Sequence, residues 1–340
     1  MRKLVEVAYE ITHKCNLKCN HCYNNHLWLG PDKEEMSTEQ ALKALDKLRN
    51  FGVEKLKIGG GEPLLREDLF VVHDYAIALG FEVNFSSNGL LINDKMESIL
   101  RHNVEKIQIS LDGIEDKPEA MRNYKGLFNI VEQAVKELSR NKIKVNIATT
   151  LTSANKDELE KILAFCKENH VYRWKIMKYI PDKYGDRLLL SKENYKLATQ
   201  KLLAYKTEQK SKPEIIVARE FDLIEQPADY NDMQCFGGKS FASMKPNGDI
   251  TPCSYLYTAE YGDFVCGNIK KNNIENIWNS EKMVKFSKDY ENPACDYADK
   301  CRGGCKAIGY RLSRLGVTCD PYCWVMNNKD EKAKRKQWKN

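Results

Sequence analysis

The stretch "THKCNLKCNHCYNN" places Cys15, Cys19 and Cys22 within eight residues. Thiolates bind soft metals, and a closed tetrahedral site wants four ligands. Two arrangements can account for three. Either a fourth protein ligand is supplied, with His21 and His26 the nearest imidazoles, or the fourth position is left for something that is not protein. Zinc suits the first arrangement, because Cys-x2-Cys is common in its structural sites. An iron–sulfur cubane suits the second, since three cysteines leave one iron free for an exogenous ligand.

The chain as a whole favours metal or redox chemistry. Its 340 residues exceed the size at which one compact core usually stops growing, so a large unit with a smaller one is expected. A hydrophobic content of 42% and a net charge of +6 describe an ordinary globular protein, with part of the charge in the tail "KDEKAKRKQWKN". No basic run is interleaved with aromatics, which argues against a nucleic-acid partner. No apolar run is long enough for a bilayer, and "MRKLVEVAYEITHKC" is not a signal peptide. The expectation is a cytoplasmic protein, where twelve cysteines speak against a disulfide framework.

Strands and helices must position the three thiols. "LVEVAYEIT" alternates with period two and runs directly into the cysteine loop. "STEQALKALDKLRNFG" follows at helical spacing, with Ser37 as N-cap and Gly52 at the C-terminal end. Further strands are expected at "EKLKIGG", "FEVNFSSNG", "EKIQISLDG", "KVNIATTLT" and "YRWKIMKYI", separated by amphipathic helices. Six βα units by about residue 180 imply a parallel sheet with right-handed crossovers. In such sheets the reactive groups collect where the strands end. "SKENYKLATQKLLAYKTEQ" reads as a bridging helix. Beyond residue 230 the chain is rich in Gly, Cys, Asn and Pro, with a hairpin expected at "MKPNGDITP". So little apolar mass beside so many cysteines points to a region held by metal.

With these motifs in order, Cys-x3-Cys-x2-Cys after strand one resembles the signature of the radical S-adenosylmethionine (radical SAM) enzymes. The resemblance implies a [4Fe-4S] cluster on Cys15, Cys19 and Cys22 whose open iron is chelated by S-adenosylmethionine. An electron then cleaves the sulfonium, and a 5′-deoxyadenosyl radical abstracts hydrogen from a substrate. "GGGEP" resembles the GGE motif, so Gly60, Gly61 and Glu62 are expected against the ligand's ammonium group, glycine allowing close backbone approach. His21 stands where an aromatic usually packs near the adenine. Ser87 and Asn88 in "SSNG", Ser110 and Asp112 in "ISLDG", Arg122 in "MRNYKG" and Thr150 at the end of strand five complete the expected cofactor site. Each also admits a plainer reading as turn chemistry or surface charge.

The later cysteines resemble the SPASM extension of that family, a domain holding auxiliary iron–sulfur clusters. Cys235 and Cys253 lead, Cys295, Cys301 and Cys305 follow, and Cys319 and Cys323 close the set. Asn292 stands where the pattern usually has a cysteine. The implied ligand sets are Cys235, Cys253 and Cys305 for one cluster, and Cys295, Cys301 and Cys323 for another, each one short. Cys319 and Cys266 are candidates to fill them, an open iron or an oxygen ligand being the other options; a single cluster with spare thiols and a zinc ribbon are the alternatives. Cys266 is also a candidate hydrogen donor, and Cys166, at an apolar helix position, is expected as a buried hydrophobe.

The expected architecture is a partial (β/α)6 TIM-like barrel with a small cysteine-rich C-terminal domain. Its boundaries are 1–190 for the barrel, 191–230 for a helical bridge, 231–327 for the auxiliary domain and 328–340 for the charged tail. The expected activity is radical modification of a peptide or protein, such as cross-linking, epimerisation or oxidation. Tetrapyrrole or other cofactor biosynthesis is the alternative, and an electron carrier or redox sensor the non-enzyme one. A carrier would need no Glu62-type ligand site. The expected partners are a peptide or small-molecule substrate, an electron donor such as flavodoxin or ferredoxin, and a separate peptide-recognition protein. The cysteine loop begins at residue 15, which leaves no room for the N-terminal leader-binding domain of many peptide-modifying relatives. The expectation is therefore that the enzyme borrows a separate recognition protein, binds its peptide directly, or works on a small molecule.

Overall fold

The computed structural model describes residues 2–24, 34–181, 186–208, 212–217, 235–256, 264–288 and 304–313. Parallel strands β1 (Glu6–Thr12), β2 (Lys55–Gly60), β3 (Glu82–Ser87), β4 (Lys106–Ser110), β5 (Lys144–Leu151) and β6 (Arg173–Lys178) lie side by side in chain order. Helices α1 (Thr38–Asn50), α2 (Leu69–Ala78), α3 (Met96–Arg101), α4 (Lys117–Arg122), α5 (Leu127–Arg140) and α6 (Leu159–Glu168) fill the crossovers. This is the expected α/β arrangement of a partial TIM-like barrel. Val7, Tyr9 and Ile11 are fully buried in the main core, while Glu6, Ala8 and Glu10 take the other face of β1. Ser37 and Gln40 form a capping box on α1, and Gly52 sits just past its end at φ +97°.

The sheet extends further than the βα units indicate. The 191–230 region supplies α7 (Lys192–Glu208) and β7 (Glu214–Ile216), which adds to β6 in parallel. On the other flank, β8 (Phe241–Met244) pairs in parallel with β1, and β9 (Asp249–Thr251) and β10 (Gly267–Asn268) continue antiparallel. The hairpin expected around the Asn-Gly turn is therefore the β8–β9 connection, and it is welded to the barrel rather than set apart from it. Tyr9 opposite Met244 and Val7 opposite Ala242 fix that register. After β10 come α8 (Ile274–Trp278), α9 (Glu281–Ser287) and the helix Lys306–Ser313. Among the described residues no helix is long and apolar enough to cross a membrane.

Candidate active site

The cysteine loop leaves β1 at the C-terminal ends of the strands, where β2 and β3 also stop. Gly61 donates its N–H to the Thr12 carbonyl at 2.8 Å and Glu62 donates to that of Lys14 at 2.7 Å. A Cβ on Gly61 would stand 2.0 Å from the Lys14 carbonyl oxygen, and one on Gly60 2.6 Å from that of Thr12. The close approach that these glycines permit is thus with the cysteine loop's own backbone. Gly59 has nothing within 4 Å of such an atom.

Glu62 is fully buried and its carboxylate is spent on the protein. It accepts from the Ser87 hydroxyl at 2.9 Å, the Leu64 N–H at 3.2 Å and the Asn88 N–H at 2.7 Å. Burial pushes its carboxyl up to about 7, against the pull of those three donors. Asn88 in turn donates its side-chain amide to the Asn16 carbonyl oxygen at 2.7 Å, tying the end of β3 to the cysteine loop. Glu62, Ser87 and Asn88 form one connected network that sets where the loop lies.

Asp112 is a second hub, with no exposed surface. Its Oδ2 accepts from Arg122 Nε at 2.8 Å and Nη2 at 2.7 Å, and lies 3.2 Å from His21 Nε2. Its Oδ1 accepts the Thr150 N–H at 2.8 Å. Burial would raise this carboxyl, but Arg122, His21 and the Thr150 N–H together hold it well below the usual carboxylate range. Arg122 Nη1 also reaches Cys19 Sγ at 3.9 Å. Periodicity alone gives no helix at α4, yet this helix delivers Arg122. It is stitched to the cysteine loop by Asn20, which donates to the Met121 and Ala120 carbonyls, and by Asn123, which donates to that of Lys18. Ser110 and Thr150 line the same mouth half-buried on β4 and β5.

All the described cysteines are free thiols. Burial pushes Cys19 up to about 11 and Cys22 up to about 12, and raises Cys15; the nearby Arg122 works against this at all three. Backbone N–H groups of Leu17 and Asn24 point at the Cys15 and Cys22 sulfurs, as does the Asn88 side chain at Cys15. Donors aimed at sulfur suit thiolates that carry metal, and loading the site must release the thiol protons. His21 Nδ1 is buried without a hydrogen-bond partner, so the ring has a polar edge still to satisfy. The donor set fits an iron–sulfur cluster held by Cys15, Cys19 and Cys22.

A second thiol group lies behind the first. Cys235, Cys253 and Cys305 pack into one small cluster with Leu256, Phe286 and Ala307, flanked by Phe264 and Tyr310. Burial, then the neighbouring Cys235, push the Cys253 thiol up to about 12. These are the three described members of the expected auxiliary sets; Cys295, Cys301, Cys319, Cys323 and Asn292, like His26, lie outside the described residues. Cys266 sits elsewhere, at the head of the edge strand β10, with its thiol on the Phe264 carbonyl at 3.4 Å and beside Ser280, Arg2 and Lys282. Cys166 is fully buried in α6. Four residues that the motifs did not single out, Glu10, Tyr23, Lys245 and Tyr255, connect the two thiol groups. An acidic residue inside the period-two pattern of β1 was the available signal for Glu10.

Fold and site together define an α/β barrel whose strand ends carry three thiols on one loop, with a second group of thiols packed in the C-terminal region. Residues 9–166 match the radical SAM superfamily, and residues 235–306 match the iron-sulfur cluster-binding domain called SPASM. Its cofactors are accordingly a [4Fe-4S] cluster with S-adenosylmethionine and auxiliary iron–sulfur clusters. The AdoMet-dependent heme synthase of Oleidesulfovibrio alaskensis is 25% identical over 355 residues, covering 97% of this chain and 89% of that protein. The mycofactocin maturase MftC of Mycolicibacterium smegmatis is 26% identical over 328 residues, covering 93% and 82%. The fold is shared with SuiB of Streptococcus suis, solved with S-adenosylmethionine, at a TM-score of 0.78 and 16% identity, over 95% of this chain and 78% of that one.

Proposed function

We propose that the protein cleaves S-adenosylmethionine reductively and uses the product to modify a peptide or protein substrate. The observation that carries the chemistry is the trio Cys15, Cys19 and Cys22 at the strand ends, with Arg122 on Cys19 and Asp112 behind it. When bound there, the cluster and S-adenosylmethionine supply a 5′-deoxyadenosyl radical that takes a hydrogen atom from substrate. The residues of the chain bind, orient and shield. Glu62, Ser87 and Asn88 hold the cysteine loop, Asp112 and Arg122 fix the charge beside it, and His21 offers a flat ring at the mouth. Ser110 and Thr150 face the lumen as hydroxyl groups for the nucleoside or the substrate. A flavodoxin- or ferredoxin-type donor supplies the electron.

The test is to incubate the reduced, anaerobically reconstituted protein with S-adenosylmethionine. Methionine and 5′-deoxyadenosine are the expected products, and Cys19→Ala abolishes them while leaving auxiliary iron in place. A wild-type chain with intact clusters that forms neither product would sink the proposal. A second reading, tetrapyrrole chemistry, has the support of the heme synthases that match nearly the whole chain. Candidate peptides encoded near the gene, set against iron–porphyrin precursors, separate the two by which one accelerates 5′-deoxyadenosine release.

A further inference from the structure

Lys245 and Glu10 form an ion pair at 2.6 Å, with Lys245 fully buried and Glu10 only 3% exposed. Lys245 Nζ also donates to the carbonyl of Ser254, at 3.0 Å, the residue that follows Cys253. Glu10 Oε2 accepts from the side-chain amide of Asn24 at 3.3 Å, two residues after Cys22. Beside the pair, the rings of Tyr23 and Tyr255 meet edge to face with centroids 4.8 Å apart. A buried pair of this kind rarely stabilises a fold more than packed apolar residues of similar volume. What it supplies that apolar residues cannot is a fixed, oriented field, with its positive end on the Cys253 segment.

We propose that Lys245 is a positioning residue for electron transfer: its buried ammonium raises the reduction potential of the cluster bound by Cys235, Cys253 and Cys305, with Glu10 as the counterweight. The inference rests on the reading of those three cysteines as ligands. Reduction adds one electron, from the reductant, to the cluster and forms no bond, so a nearby cation favours the reduced state and an anion disfavours it. Lys245 Nζ is bonded to the residue next to Cys253, while Glu10 Oε2 turns to Asn24 on the cysteine loop, so the pair presents its positive end to the Cys253 side and does not cancel there.

The experiment is a redox titration of the full-length reconstituted protein, followed by electron paramagnetic resonance, for wild type, Glu10→Gln, Lys245→Arg and the double variant Lys245→Met/Glu10→Gln. Gln keeps an acceptor for the ammonium, so Glu10→Gln should raise the auxiliary potential. The uncharged double variant should lower it, each by about tenfold in the reduction equilibrium, or about 59 mV for one electron. Lys245→Arg should stay near wild type. Shifts in the same direction, or none, would overturn the inference, as would loss of auxiliary iron from the double variant alone, which a purely structural role predicts. Wild-type protein with one cluster's worth of iron would instead refute the ligand reading beneath it.

Discussion

Arg122 grips Asp112 through two of its nitrogens, at 2.8 and 2.7 Å to one carboxylate oxygen, in a site where both side chains are buried. A charge pair so placed is costly to break from one side. Arg122→Ala should lower stability by about 3–5 kcal/mol, and Asp112→Asn by a similar amount. The double variant Arg122→Met/Asp112→Asn should recover part of it, giving a coupling above about 1 kcal/mol in urea unfolding.

The same pair sets an acid limit. The folded Asp112 carboxyl titrates below its unfolded value, so its contribution is complete above about pH 4 and is lost as pH falls through the folded value. The apo wild type should therefore lose stability with acid more steeply below about pH 4 than the double variant. Parallel acid-unfolding curves would count against the pair.

Glu62 works in the opposite sense. Its folded carboxyl sits near 7, above the unfolded value of 4.5, so the folded chain holds a proton that the unfolded chain has released across that window. Stability of the apo protein should fall as pH rises from about 4.5 to 7, by up to about 3 kcal/mol from this group. Glu62→Gln removes the slope. It also loses the acceptor for the Asn88 N–H, so the variant should bind less cysteine-loop iron at neutral pH, measured by iron content after reconstitution.

Adjacent glycines should behave differently. Gly61→Ala drives a methyl group into the Lys14 carbonyl and should destabilise by more than about 2 kcal/mol, with loss of iron at the three-thiol site. Gly59→Ala meets nothing within 4 Å and should stay within about 0.5 kcal/mol of wild type. Thermal unfolding of the two variants side by side decides this.

His21 is read as a ring that packs at the mouth. His21→Phe keeps a flat face and should retain most S-adenosylmethionine cleavage, whereas His21→Ala should lose about tenfold or more, read as 5′-deoxyadenosine formed per minute. Equal losses in both variants would assign the function to the 3.2 Å contact with Asp112 instead.

The alternating strands and amphipathic helices were legible because each has a period of its own, and the cysteine spacing because ligands on one loop are neighbours in sequence. Ser37 with Gln40 and the Asn-Gly turn between β8 and β9 are local features in the same sense. α4 was not legible, since Lys117–Arg122 is too short to establish a helical period. β7 escaped for a similar reason: three residues become a strand only when β6 offers them an edge.

By itself, then, the sequence determined the chemistry: three thiols after the first strand, glycines and Glu62 after the second, and a later group of cysteines. Tertiary structure decided what each polar side chain is joined to. Gly60 and Gly61 press on Thr12 and Lys14, Glu62 closes on Ser87 and Asn88, and Glu10 meets Lys245 from 235 residues away. Such partners are chosen by strand register and by the high cost of leaving a buried charge unpaired, and neither is a property of any short stretch of chain.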